Sequence, residues 1–241
     1  MKVSPYEKVA HIYNGLMKKV DYSTWSKYLL VIAEENFPYA AKVLELGAGN
    51  CKLAEIFSVK FKNYVATDIS FPMLKCSTNN HLIKICCDMT AIPIKAKFDF
   101  IFSAFDGVNY ILKQKSLYSL FTEIHRLLDV NGIFTFDVSL ERNSLNSVNS
   151  DSTEDHYNGS RFKRISQYNK RSRIHYNKFY IRDVSGEEFK EVHKQKIYKI
   201  STYFKLSEKA GLYTESCFDC FTFKDVNEKS LRAQFVMRKI N

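Results

Sequence analysis

Val43-Leu44-Glu45-Leu46-Gly47-Ala48-Gly49-Asn50 is the stretch that decides the fold. A short apolar run, residues 41–46, reads as a buried strand, and residues 52–59 read as a helix. The glycine turn between them is the informative part. Glycine adopts positive φ and lets backbone approach a ligand closely. In doubly wound sheets the crevice beyond the strand ends holds a nucleotide. Asp68 stands nineteen residues after Gly49, at the end of the next strand, residues 64–67. An acid there is placed to accept hydrogen bonds from ribose hydroxyls. A dinucleotide fingerprint wants Gly or Ala where this chain has Lys52, which argues against NAD.

Working outward, the strand–helix rhythm continues. Strands are expected at 82–87, 98–103 and 133–139, with helices beginning at 72 and spanning 116–128, the latter stopped by Asn131 and Gly132. Parallel βαβ units follow from that spacing, so the fold class is α/β, a Rossmann-like doubly wound sheet. Upstream, residues 4–36 read as two amphipathic helices with a break near 20–23. Ser4 is the expected N-cap, Pro5 the first helical residue, and Pro38 the end of the segment. Downstream the rhythm breaks. Residues 143–160 are rich in Ser, Asn and Asp and read as a mobile loop. Antiparallel strands are expected at 161–168, 173–182 and 188–198. A helix at 201–210 ends at Gly211, and strands near 213–222 and 231–239 close the chain. The domain reading is 1–139 with 200–241, whose first 38 residues form a helical lid, and an antiparallel insertion at 140–199 covering the substrate.

Composition narrows the function classes. A chain of 241 residues buries a full core without disulfides or a structural metal. No apolar run approaches the ~20 residues of a membrane span. No apolar export signal follows the first ten residues, so a cytoplasmic protein with six free thiols is expected. Cys217 and Cys220 form a lone C-x-x-C, and strand spacing sets them on opposite faces, so no metal is expected. The net charge is +10, and residues 161–199 alone carry twelve basic and four acidic side chains, a net of +8. Bases mixed with Tyr168, Tyr176 and Tyr180 allow RNA binding through phosphates and stacking. A lid over a small-molecule pocket, with an acceptor that is allowed to be anionic, is preferred.

The motifs together resemble the class I S-adenosylmethionine (SAM)-dependent methyltransferases, over nearly the whole chain. VLELGAGN is similar to the first motif of that family, ATDIS-FPML to the second and CCDMTAIP to the third. FDFIFSAFD resembles the fourth strand, EIHRLLDVNGIFTFDV the following helix and fifth strand, and LSEKAGLY the late helix. The opening VAHIYNGLMKKVDYSTW resembles a bacterial subgroup of small type 11/25-like methyltransferases with an antiparallel insertion after the fifth strand. The resemblance implies seven strands with the last antiparallel. It implies SAM as cofactor, with S-adenosylhomocysteine (SAH) as product. Glu45, Gly47, Ala48 and Gly49 would form the turn at the methionine part, Asp68 and Ile69 the ribose site with Met73 nearby, and Asp88 with Met89 the adenine site. Ser103 would lie near the reacting methyl, and Tyr13 and Trp25 in the lid. Cys51 stands where the family commonly has a third glycine.

Acceptor-side residues are read from position. Asp106, Asn109 and Tyr110 follow the fourth strand; Asn109 and Tyr110 either orient an acceptor or cap the next helix. Glu191, His193 and Gln195 share one strand face. They line the pocket mouth or, the preferred alternative, form a solvated face. Three functions stand: methyl transfer to a small-molecule N or O acceptor; an RNA or protein methyltransferase guided by the basic insertion; and a SAM-binding module without catalysis. The acceptor and the oligomeric state are not legible.

Overall fold

The computed structural model describes residues 1–34, 41–149 and 153–240. Pro38 and the middle of the expected loop, 150–152, lie outside these. Seven helices are described: α1 (Val9–Leu16), α2 (Tyr22–Glu34), α3 (Lys52–Lys60), α4 (Phe71–Leu74), α5 (Gln114–Leu127), α6 (Glu141–Asn149) and α7 (Ile200–Lys209). The strands of the larger sheet are β1 (Lys42–Leu46), β2 (Asn63–Asp68), β3 (Ile83–Cys86), β4 (Phe98–Ser103), β5 (Leu128–Ser139), β10 (Leu212–Asp219), β11 (Lys224–Asp225) and β12 (Arg232–Lys239). The smaller sheet is β6 (Thr153–Tyr157), β7 (Ser160–Asn169), β8 (Ile174–Arg182) and β9 (Glu188–Lys196).

The large sheet has the order β3-β2-β1-β4-β5-β12-β10-β11. Pairs from β3 to β5 are parallel, and β12 runs antiparallel to both β5 and β10. This is the expected seven-strand Rossmann-like arrangement with one reversed strand; the two-residue β11 adds an edge. Order reverses direction between β1 and β4, which opens the crevice beyond their carboxyl ends.

Alternating side chains feed two cores. Val43, Phe100 and Phe102 pack with Leu29, Leu53 and Phe57 on one face. Leu44, Leu46 and Ile101 pack with Leu120, Phe121 and Tyr203 on the other. Phe136 is stacked between Phe134 (5.0 Å) and Phe235 (4.9 Å). Truncating such a ring typically costs about 3–5 kcal/mol. A third cluster joins Val9 and Ile12 of α1 to Phe162, Phe179, Ile181 and Phe189 of the small sheet. Cys217 packs against one main core and Cys220 lies in the other, the separation that strand alternation demands.

Three local expectations are corrected. Ser4 does not cap a helix: its N–H is bonded by Glu7 Oε2 (3.0 Å), and α1 starts at Val9. The expected loop holds most of α6 and all of β6. Tyr168 Oη (2.7 Å) and Arg173 Nη1 (2.8 Å) hold Glu141, the first residue of α6, so partners distant in sequence override a loop-like composition. Finally, Glu191, His193 and Gln195 are buried rather than solvated, because the N-terminal segment packs over their face of β9.

Candidate active site

The cavity lies at the crevice between β1 and β4. Its volume is about 630 Å³, within the ~300–1,000 Å³ usual for small-molecule sites. The turn after β1 forms its floor. Gly47 (φ +70°) and Gly49 (φ +55°) are left-handed. A Cβ on Gly47 would stand 3.4 Å from Met89 Cε, and one on Gly49 would stand 3.2 Å from Met73 Cε. Cys51 is left-handed too (φ +61°), which explains why glycine suits that position. Its side chain is wholly buried in the core and does not line the cavity. Burial pushes the Cys51 thiol up to about 12.

Asp68 closes the turn from the neighbouring strand. Its Oδ2 accepts the Gly49 N–H (2.7 Å) and its Oδ1 the Ser70 N–H (2.7 Å). An ionised carboxylate offers about four acceptor positions, so lone pairs remain for ligand hydroxyls. Burial raises the Asp68 pKa and these backbone donors oppose the rise. Asp88 Oδ1 is held by Thr90 N–H (2.7 Å) and Oγ1 (2.8 Å) at the cavity's edge. Glu45 lines the floor although nearly buried, with Tyr64 Oη donating to its Oε2 at 2.7 Å. Burial pushes its carboxyl up to about 7.

The structure brings together Tyr13, Glu45, Gly47, Ala48, Gly49, Asp68, Ile69, Met73, Asp88, Met89 and Tyr110 as cavity lining. Five named residues stand outside it. Trp25 packs behind the lining residue Phe105 (4.4 Å). Ser103 lies beneath the turn, its Oγ buried without a hydrogen-bond partner. Asp106 pairs with Arg232, which also holds buried Asp137. Asn109 donates to the carbonyls of Ser139 (3.3 Å) and Lys196 (2.9 Å) and accepts the Ser139 N–H (2.9 Å), so its amide ties three segments together instead of facing a ligand. His193 sits one layer back, its Nδ1 at 3.3 Å from Tyr110 Oη.

Tyr22, which the family likeness places with Tyr13 in the lid, also lines the cavity, whereas sequence reasoning missed Tyr6 and Phe105. Tyr6 adopts φ +62° just before α1, where the sequence pattern places helix.

Comparisons with known proteins fit this geometry. A family model described as a methyltransferase domain matches residues 44–136. YqeM of Bacillus subtilis, provisionally named a methyltransferase, is 23% identical over 244 residues, covering 97% of each chain. A crystal structure of an S-adenosylmethionine-dependent methyltransferase from Clostridium acetobutylicum superposes with a TM-score of 0.82 at 26% identity, over 98% of this chain and 99% of that one. The matched domain and the shared fold are those of class I SAM-dependent methyltransferases. The sugar N-methyltransferase KedS8 from Streptoalloteichus shares the fold, with a TM-score of 0.73 at 16% identity over 94% of this chain and 92% of that one.

SAM is the cofactor of the methyltransferase, and the residues present suit it. The two left-handed glycines make a cradle that a Cβ would fill, and Asp68 keeps acceptor capacity beside it. Among the described residues no three His, Cys, Asp or Glu side chains gather as a metal site needs, and no helix is long and apolar enough to cross a membrane.

Proposed function

We propose that the cavity holds SAM beside a small-molecule acceptor and transfers a methyl group to an N or O atom of that acceptor. The observation carrying this reading is a cavity of about 630 Å³ lined by the glycine turn and by the aromatic side chains Tyr6, Tyr13, Tyr22 and Phe105. Aromatic side chains there limit the water around the reacting groups.

Asp68 holds the ribose hydroxyls, Asp88 and Met89 meet the adenine, and the backbone at Gly47 to Gly49 cradles the methionine part. SAM, when bound, supplies a methyl on a positively charged sulfur, so no strong electrophile is asked of the protein. Alignment is the protein's contribution, and effective molarities for it reach ~10⁵ M or more. Residues 1–38 act as the helical lid and 140–199 as the second cover, on a body made of 1–139 and 200–241. Lys52 and Lys113 are the cations of the lining and suit an anionic acceptor.

A macromolecular acceptor is the second reading, favoured by the basic insertion. Lys190 and Lys194 are exposed on β9, and alternation sets them on the face opposite His193 and Glu191, away from the cavity. Lys190 lies over the ring of Tyr180 (5.3 Å) and Lys194 over that of Tyr176 (5.9 Å).

Calorimetry with SAM, SAH and NAD is the test. Binding of both adenosyl compounds without NAD is expected, and absence of adenosyl binding sinks the site assignment. Salt-sensitive RNA binding, followed by RNA methylation, would favour the second reading.

A further inference from the structure

Glu191 is wholly buried in the middle of β9, 182 residues from the backbone it caps. Its Oε1 accepts the N–H groups of Lys8 and Val9 (2.8 Å for Val9), and its Oε2 accepts that of Tyr6 (2.8 Å). Backbone N–H groups only donate, so both Glu191 oxygens act as acceptors here. The same Oε2 lies 3.0 Å from His193 Nε2. An accepting Oε2 there pairs with the tautomer that carries its hydrogen on Nε2, which leaves a lone pair on Nδ1.

That lone pair fixes the direction of every bond that follows. Tyr110 Oη, 3.3 Å from Nδ1, donates to it. Tyr110's oxygen then accepts from Tyr6 Oη at 2.7 Å. Tyr6 and Tyr110 line the cavity, while His193 and Glu191 are almost completely buried behind them. Tyr6 Oη therefore turns its proton inward and offers lone pairs outward. A bulky residue held at φ +62° is a costly conformation, and the Glu191 bond to its N–H holds it.

The geometry points to a proton relay running from the cavity through Tyr6 and Tyr110 to His193, oriented by Glu191, and to a hydroxyl as the methyl acceptor. This rests on the reading of the cavity as the site of methyl transfer. The acceptor oxygen bonds the methyl carbon as the carbon–sulfur bond breaks and sulfur keeps its electron pair. The acceptor's proton moves to Tyr6 Oη, the proton of Tyr6 to Tyr110 Oη, and that of Tyr110 to His193 Nδ1. The resulting imidazolium stands against the Glu191 carboxylate, so the charge is balanced where it forms. A neutral amine attacks with a free lone pair and has no need of such a sink, whereas a hydroxyl gains nucleophilicity as its proton leaves. Tyr6 and Tyr110 are the catalytic residues; His193 and Glu191 are positioning residues.

Nitrogen-15 NMR of the full chain, histidine-labelled, with and without SAH, reads the His193 ring directly, the signals being assigned from their loss in His193→Gln. The expected result is a protonated Nε2 and a bare Nδ1, whose resonance moves in Tyr110→Phe. A proton on Nδ1 reverses the chain of bonds and overturns the relay. Methyl transfer from SAM to matched alcohols, phenols and amines gives a second readout. Hydroxyl compounds are expected to be methylated, with Tyr6→Phe and Tyr110→Phe each lowering kcat about 10²-fold or more at little change in KM. Methylation of the amines with their hydroxyl partners untouched overturns the acceptor class. Calorimetry separates the failures: a wild-type chain that binds no SAH overturns the cavity reading, and one that binds SAH with Nδ1 protonated overturns the relay alone.

Discussion

Asp68 joins two roles that a single carboxylate can carry: it ties the glycine turn to β2 and keeps lone pairs facing the cavity. Asp68→Ala should weaken SAM binding on the order of 10-fold to 100-fold, matching about 1.5–3 kcal/mol for a hydrogen bond to a charged group, and titration calorimetry checks it. An unchanged affinity would place the ribose elsewhere. Glu45 sets a pH dependence. Its folded-state pKa of about 7 stands above the ordinary glutamate value of 4.5. The folded form then binds more protons at Glu45 than the unfolded one between those values, so the Glu45 contribution to stability is fully present below about pH 4.5 and is lost as pH rises through 7. The loss is about 3 kcal/mol at most. Glu45→Gln should flatten that slope in denaturant melts taken across the window. Thiol chemistry is equally specific: Cys76 and Cys86 are exposed and should alkylate in the native state, whereas buried Cys51 should react only on unfolding, as peptide mapping would show. The turn, Asp68 and Asp88 were legible because motif spacing encodes them locally. Tyr6 was not, since its conformation is imposed by a carboxylate far along the chain.

At the scale of elements, α1 is capped in trans. The side chain of its own N-cap residue, Lys8, makes no cap hydrogen bond, and Glu191 on β9 supplies the acceptors. Removing them leaves buried N–H groups unpaired, so Glu191→Ala should cost on the order of 3 kcal/mol. Hydrogen exchange should then quicken across Val9–Leu16 far more than across α5, and equal protection in both helices would refute the cap. Glu191→Gln keeps an acceptor oxygen and should lose less. Helix α6 teaches the converse lesson. Its Ser- and Asn-rich sequence favours loop locally, yet Tyr168, Arg173 and Ser139 hold its first turn in place.

Across the whole molecule, the two sheets are stitched by α1, by Glu191 and by the Asn109 amide, which bridges β5 to the end of β9. Binding at the cavity should therefore stabilise both. SAH at about 100 times its dissociation constant should add about 2.7 kcal/mol to unfolding. Fluorescence of Trp25, which packs behind the cavity wall, and exchange of β8 amides should shift together. A small sheet that melts earlier, unmoved by SAH, would show the two parts to be independent.

The sequence by itself determined the parallel sheet, the glycine turn, the cofactor side of the cavity and the reversed strand expected from family likeness. These depend on periodicity and on motifs whose parts are close along the chain. Only the tertiary structure decided the acceptor side. It buried Glu191 and His193, which alternation alone left free to face either way, and it committed Asn109 and Asp106 to other partners. The physical reason is separation: the N-terminal segment and β9 meet across more than 180 residues, and burial is set by what packs over a face, not by the residues that form it.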